Sequence, residues 1–149
     1  KFKKDYKLQK SINTTPDPKP EFTQWVLMNK MLVTGVVIVE IHRVDRIVEI
    51  YGARFLSRIY TDREVAYARG RAPQLASRFA AKEAVMKALG TGVRGVRRRE
   101  IEGVRDPGGP PRICLHGSAL NKFDNMGLDS LAVSLSHSQE YAVAFVVGM

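Results

Sequence analysis

An α+β domain, helices packed with a small antiparallel sheet, is what the chain predicts, and three observations predict it. Its final stretch, LAVSLSHSQEYAVAFVVGM, alternates apolar and polar residues on either side of Ser138–Glu140, so two antiparallel strands joined by a turn are expected. Ile101–Arg105 and Arg112–His116 flank Asp-Pro-Gly-Gly-Pro-Pro, a set of turn residues that predicts a hairpin. Before these strands, apolar residues recur at helical spacing, most clearly over Leu75–Leu89.

The bulk numbers agree with a single such domain. A length of 149 residues suits one core and is short for two. Hydrophobic residues at 44% and charged residues at 26% are those of a globular protein, and no apolar run nears the roughly 18 residues that cross a bilayer. A single cysteine, Cys114, excludes an internal disulfide and fits a reducing, cytoplasmic setting. The widely spaced His42, His116 and His137 argue against zinc. The net charge of +9 points to an acidic partner: nucleic acid, a phosphate-rich ligand or an acidic protein.

That charge is uneven, and so is the organisation. Residues 1–30 carry +4, with a Lys-rich start, a Pro/Asp/Thr centre and no periodic pattern before Phe22. They are expected to be a flexible basic leader or a remnant of cloning, with the domain spanning residues 31–149 from Met31. Leu32–Val39 is a continuous β-branched run and predicts a buried strand. Ile41, Val44, Ile47, Val48 and Tyr51 then follow helical spacing to Gly52, and Arg54–Ile59 is a further short apolar and basic segment. Thr61-Asp-Arg-Glu64 has the form of a capping box opening a helix to about Arg69. Ser118–Met126 predicts a short helix ended by Gly127.

The central run, RFAAKEAVMKALGTG from Arg78 to Gly92, carries the least ordinary charges. At about 100° per residue, Leu75, Phe79, Val85, Met86 and Leu89 form one apolar stripe, which predicts an amphipathic helix ended by Gly90. Arg78 and Lys82 fall inside that stripe, while Glu83 and Lys87 share its flank. Two accounts fit. Arg78 and Lys82 snorkel to water and Glu83–Lys87 is an exposed pair, or the cations face phosphates and the carboxylate holds a metal that bridges them. The basic cluster Arg94, Arg97, Arg98 and Arg99 is open in the same way, between a solvated loop and a contact to nucleotide or acidic partner. Neither a Walker loop nor a Rossmann fingerprint is present, and Ser134, Ser136 and Ser138 around His137 lack a nucleophile elbow.

Taken together, RFAAKEAVMKALGTG, the preceding GVVIVEIHRV at Gly35–Val44 and the later VSLSHS at Val133–Ser138 resemble holo-acyl-carrier-protein synthase, of the phosphopantetheinyl transferase family. The Thr-Asp-Arg-Glu segment and the Asp-Gly-Gly-Pro-like hairpin lie between them in the family's order. The resemblance implies an α+β fold of phosphopantetheinyl-transferase type, usually a homotrimer with sites between subunits. It implies transfer of phosphopantetheine from coenzyme A to a serine of apo acyl carrier protein, releasing adenosine bisphosphate, as in fatty acid biosynthesis. Magnesium on the coenzyme pyrophosphate is the implied cofactor, with no membrane or nucleic acid as partner.

Site roles follow from the same resemblance, position by position. Glu83 is the implied metal ligand and, with Lys87, the catalytic pair. Arg78, Lys87, Gly90, Thr91, Gly92 and His137 are the implied coenzyme contacts. Arg43 is the implied carrier contact, with Arg46 and Arg54 beside it. Where the family has a second metal-binding aspartate, this chain has Val37, and Glu40 is a candidate substitute. A weakened homologue that binds coenzyme A and carrier is therefore the alternative to an active transferase. A basic nucleic-acid-binding domain, resting on Arg94–Arg99, is a third reading; it lacks interleaved aromatics.

Overall fold

The computed structural model describes residues 31–92 and 94–149, and the leader expected over residues 1–30 lies outside them. Among the described residues, two antiparallel sheets and four helices make the fold. The first strand, β1 (Val33–Glu40), passes without a loop into α1 (Ile41–Ile59). Then come α2 (Asp62–Ala68), α3 (Ala72–Ala88), a short 3-10 turn at Arg98–Glu100, and the hairpin β2 (Ile101–Arg105) and β3 (Pro111–Leu115). The chain closes with α4 (Gly117–Asn125), β4 (Leu131–His137) and β5 (Tyr141–Gly148). The main sheet has the order β1-β5-β4, pairing Val33 with Gly148 and Glu40 with Tyr141 on one side of β5, and His137 with Ala142 on the other.

Local chemistry accounts for the boundaries. Thr61 accepts from the Glu64 amide at 3.2 Å, and the Glu64 carboxylate accepts from the Thr61 amide at 2.9 Å, so the expected capping box is formed. Gly52 sits at φ 52° and ψ −132°, which breaks α1 where the sequence expects the first helical segment to close. No helix among the described residues is long and apolar enough to cross a membrane.

The helix α3 is not the surface amphipathic helix that its stripe predicts. It is buried nearly all round, Ala76, Ala80, Ala81, Ala84 and Ala88 included. One face lies on the main sheet, the other meets α1, α2 and the hairpin, and small side chains let every neighbour come close. At Gly35 of β1 a Cβ would stand 1.9 Å from the Ala84 carbonyl oxygen, so the absence of a side chain there sets the helix-to-sheet distance.

Lys82 does not snorkel. Its side chain is 1% exposed, and its Nζ donates to Glu64 Oε2 at 2.7 Å, to the Arg98 carbonyl at 3.1 Å and to the Ile101 carbonyl. Glu64 is itself buried, and its other oxygen accepts from the Gly103 amide at 2.8 Å. The cation reaches no water because a carboxylate and two carbonyls satisfy it inside. Burial pushes the Lys82 ammonium below its ordinary value, with Glu64 opposing that shift.

The expectation of a buried first strand is met on one face. Val33, Gly35, Val37 and Val39 turn toward α3, whereas Val36 and Ile38 stay 56% and 64% exposed on the other face. Phe145, opposite Val36 in register, is 45% exposed. A continuous apolar strand thus lies on a sheet with an open apolar face.

Candidate active site

Two clefts lie against α3, and helical geometry keeps them apart. Arg78 and Glu83 are five residues distant on the helix, hence about 140° apart around its axis, and they open onto different clefts.

Arg78 faces the first cleft, a cavity of about 160 Å³ between α3, the hairpin and β4. The residue is 5% exposed, one Nη donates to the Gln74 carbonyl and to Gln74 Oε1 at 3.3 Å each, and the guanidinium lies 4.1 Å from the Tyr67 ring centroid. Its Nε is buried without a hydrogen-bond partner among the described residues. Burial pulls Arg78 below its usual value, opposed by Tyr67. His137, Arg105 and Arg112 line the same cleft. His137 Nδ1 lies 3.4 Å from the Ser138 carbonyl, Arg105 Nε donates to the Gly109 carbonyl at 3.0 Å, and Arg112 pairs with Asp106. A buried donor without a partner, ringed by cationic side chains, is chemically an anion site.

The second cleft lies on the β1 side of α3 and holds Val37, Glu83 and Arg43 together. Val37 and Glu83, read from sequence as the two sides of one site, do meet here. Glu40 also borders the cleft, but its carboxylate is 3.6 Å from His42 Nε2 at the outer rim. Lys87 does not pair with Glu83; its Nζ donates to the Val36 carbonyl at 3.2 Å and is exposed. Glu83 is instead held by Arg98, whose Nε donates to Glu83 Oε1.

That contact resolves half of the arginine cluster. Arg98 grips Glu83, and Arg99 donates to the Ser57 carbonyl at 2.7 Å and to Asp62 Oδ1 at 3.1 Å, tying the turn to α1 and α2. Arg94 and Arg97 stay exposed. Gly90 and Gly92, at φ 67° and 55°, turn the chain away from α3, with the Thr91 hydroxyl 3.4 Å from the Met86 carbonyl. Arg43, Arg46 and Arg54 are exposed along α1; Arg43 borders the Glu83 cleft, and Arg54 lines a shallow groove beside exposed Tyr51.

Arg105, Arg112 and Gln74 were not foreseen as site residues. The first two are set apart in sequence by the hairpin turn and become neighbours only through the pairing of Val104 with Arg112. Gln74, four residues before Arg78, had a helical-spacing signal that could have found it.

Magnesium, which the family resemblance implies, does not fit the residues present. Among the described residues no group of three or more His, Cys, Asp or Glu side chains could hold a metal. Of the two expected ligand positions, one is Val37 and the other, Glu83, is already paired with a guanidinium.

Comparison with known proteins adds an independent line. A family model described as the 4'-phosphopantetheinyl transferase superfamily matches residues 34–146. The chain is 45% identical over 126 residues to the holo-[acyl-carrier-protein] synthase of Herpetosiphon aurantiacus, covering 80% of this chain and 99% of that protein. With the Gloeobacter violaceus holo-[acyl-carrier-protein] synthase the identity is 49% over 116 residues, covering 75% and 88%. Among solved structures, the Helicobacter pylori holo-[acyl-carrier-protein] synthase in complex with coenzyme A matches at a TM-score of 0.71 and 31% identity, over 78% of this chain and 99% of that one. The Neisseria meningitidis holo-[acyl-carrier-protein] synthase matches at 0.71 and 36%, over 78% and 97%.

Proposed function

The chain belongs to the 4'-phosphopantetheinyl transferase superfamily, and we propose that it acts as a holo-acyl-carrier-protein synthase, moving phosphopantetheine from coenzyme A to a serine of an apo acyl carrier protein. The observation that carries the reading is the Arg78 cleft. Its buried Nε, without a hydrogen-bond partner among the described residues and with Arg105, Arg112 and His137 lining the same cleft, suits the phosphates at the nucleotide end of coenzyme A.

In this reading the serine oxygen attacks the phosphorus that bears the pantetheine arm. A new P–O bond forms, the anhydride P–O bond breaks, and adenosine bisphosphate leaves. Phosphoryl transfer depends on positioning and charge neutralisation more than on a covalent helper. Arg78 and His137 anchor the nucleotide, and Lys87 leaves the Val36 carbonyl for a phosphate oxygen. The Gly90-Thr91-Gly92 exit gives small, close backbone beside the ligand. The serine proton goes to the Glu83 oxygen not bonded to Arg98, directly or through a water. Magnesium belongs to this reading only as far as the coenzyme's own phosphates carry it, since of the two carboxylates on the cleft Glu83 is engaged by Arg98 and Glu40 lies 3.6 Å from His42.

The carrier would dock on α1, where Arg43, Arg46 and Arg54 face solvent next to Ile50 and Tyr51, which are 62% and 59% exposed. Cationic side chains beside apolar anchors suit an acidic amphipathic helix. Assembly as a trimer is supported by the open face of the main sheet, where Val36, Ile38 and Phe145 are exposed among the described residues. It also suits the separation of the Arg78 and Glu83 clefts, because a neighbouring copy can set one against the other.

The test is incubation of the chain with coenzyme A and an apo acyl carrier protein, with and without magnesium, followed by intact mass of the carrier. The expected product carries one phosphopantetheine on the carrier serine. No transfer under either condition, nor from Val37→Asp, would overturn the reading.

A further inference from the structure

Glu83 receives its counter-charge from within the chain, and the donor is locked in place. Arg98 Nε donates to Glu83 Oε1, with the two side chains 25% and 24% exposed. The Arg98 guanidinium carbon lies 5.7 Å from the Phe79 ring centroid, and the Arg98 carbonyl accepts from Lys82 Nζ at 3.1 Å. Arg98 is therefore held at its backbone by a buried ammonium and at its head by an aromatic face and a carboxylate. Its Nη groups make no hydrogen bond among the described residues. Arg98 lines a neighbouring groove with Arg58 and Arg97, while Glu83 lines the cleft that holds Val37, so the ion pair links an apolar cleft to a basic one.

A divalent cation at Glu83 would meet a carboxylate already in contact with a guanidinium and an apolar Val37 across the cleft, with Glu40, the other carboxylate of the lining, drawn toward His42. Like-charge repulsion and the lack of a carboxylate at residue 37 both act against it. A guanidinium, by contrast, presents a planar fork of donors that matches phosphate oxygens two at a time and stays charged at every working pH.

We infer that Arg98 is the cation of this site: its Nη groups, oriented by Glu83, bind the diphosphate of coenzyme A, and coenzyme binding needs no divalent metal. This rests on the transferase reading above and concerns only how the diphosphate is neutralised. Val37 fits this assignment: with no carboxylate at residue 37 to share a metal, Glu83 keeps Arg98 as its counter-charge.

Calorimetric titration of the full chain with coenzyme A, in excess chelator and in excess magnesium, tests this. The chain is expected to bind with dissociation constants that agree within about twofold. Arg98→Gln should weaken binding in chelator at least about tenfold, and Arg98→Lys, which keeps the charge and loses the fork, should fall between. The Val37→Asp/Arg98→Gln double variant should become magnesium-dependent and should bind manganese without coenzyme, read by electron paramagnetic resonance, whereas the unsubstituted chain should not. Circular dichroism of each variant separates lost binding from lost fold. Binding by the unsubstituted chain that improves tenfold or more with magnesium, or unchanged affinity of folded Arg98→Gln in chelator, overturns the inference alone. No binding of coenzyme A under either condition overturns the transferase reading and this inference with it.

Discussion

Lys82 Nζ and Glu64 Oε2 lie 2.7 Å apart with 1% and 0% of their side chains exposed, a closed ion pair beneath the candidate active site. Removing one partner leaves a buried charge without compensation, which costs on the order of 3–5 kcal/mol. Lys82→Met is therefore expected to lower the denaturant unfolding free energy by about that much. Adding Glu64→Gln should restore part of the loss, because the amide still accepts from Gly103 or Thr61 without a net charge. Strict additivity of the two substitutions would contradict the pair.

A methyl group at residue 35 has no room. Gly35→Ala should push α3 from β1 and destabilise the fold by roughly 1–3 kcal/mol or more, the cost of overpacking. A stability within a few tenths of a kcal/mol of the parent would show that the Ala84 carbonyl yields easily. The neighbouring exposed Val36→Ala serves as the control on the same strand.

Substitutions in the Arg78 cleft should act on coenzyme affinity before turnover. Arg78→Met keeps the volume and the contact with Tyr67 and is expected to raise the dissociation constant roughly ten- to a hundredfold, the worth of a charge-assisted hydrogen bond. Arg112→Ala, at an exposed position, should give a smaller loss with no change in melting temperature. Equal affinity in both would remove the cleft from coenzyme binding.

Alkaline pH probes the core. Burial raises the Tyr60 phenol above its usual 10.0, with Glu64 adding to the shift and Arg78 opposing it, and its hydroxyl donates to the Leu75 carbonyl at 2.9 Å. A phenol that holds its proton more tightly when folded contributes stability that is whole below the unfolded value and is lost as pH rises above about 10. Unfolding free energies measured from neutral to strongly alkaline pH should fall more steeply for the parent than for Tyr60→Phe above that point. Tyr60→Phe should also be less stable at neutral pH by about 1 kcal/mol, for the lost hydrogen bond.

The open sheet face predicts the assembly. Ile38→Glu or Phe145→Glu should convert the expected trimer to monomer in sedimentation while the helical circular dichroism persists, since neither side chain packs inward. A sedimentation coefficient unchanged by both would place any oligomer contact elsewhere.

What was legible in the sequence follows how local each signal is. The capping box at Thr61–Glu64, the turn residues before Pro111 and the alternation of Leu131–Gly148 are short-range patterns, and each produced the element it announced. The solvent boundary of α3 did not follow from its own stripe, because whether an alanine face is exposed depends on which elements press on it. The burial of Lys82 is hidden for the same reason: its carboxylate is 18 residues away, in a segment that reads as a helix cap. Val37 and Glu83, far apart in sequence, line one cleft. The partner of Glu83 was hidden in a run of arginines whose members look alike in sequence and differ only in what the 3-10 turn aims them at.

Glu64 binds Thr61 and Lys82 through one oxygen and Gly103 through the other. Uncapping α2 therefore also frees the hairpin backbone at β2 and strands the ammonium of α3. Amide hydrogens at the start of α2 and along β2 should exchange with a common opening free energy, as one cooperative unit. The domain would then melt around a single carboxylate.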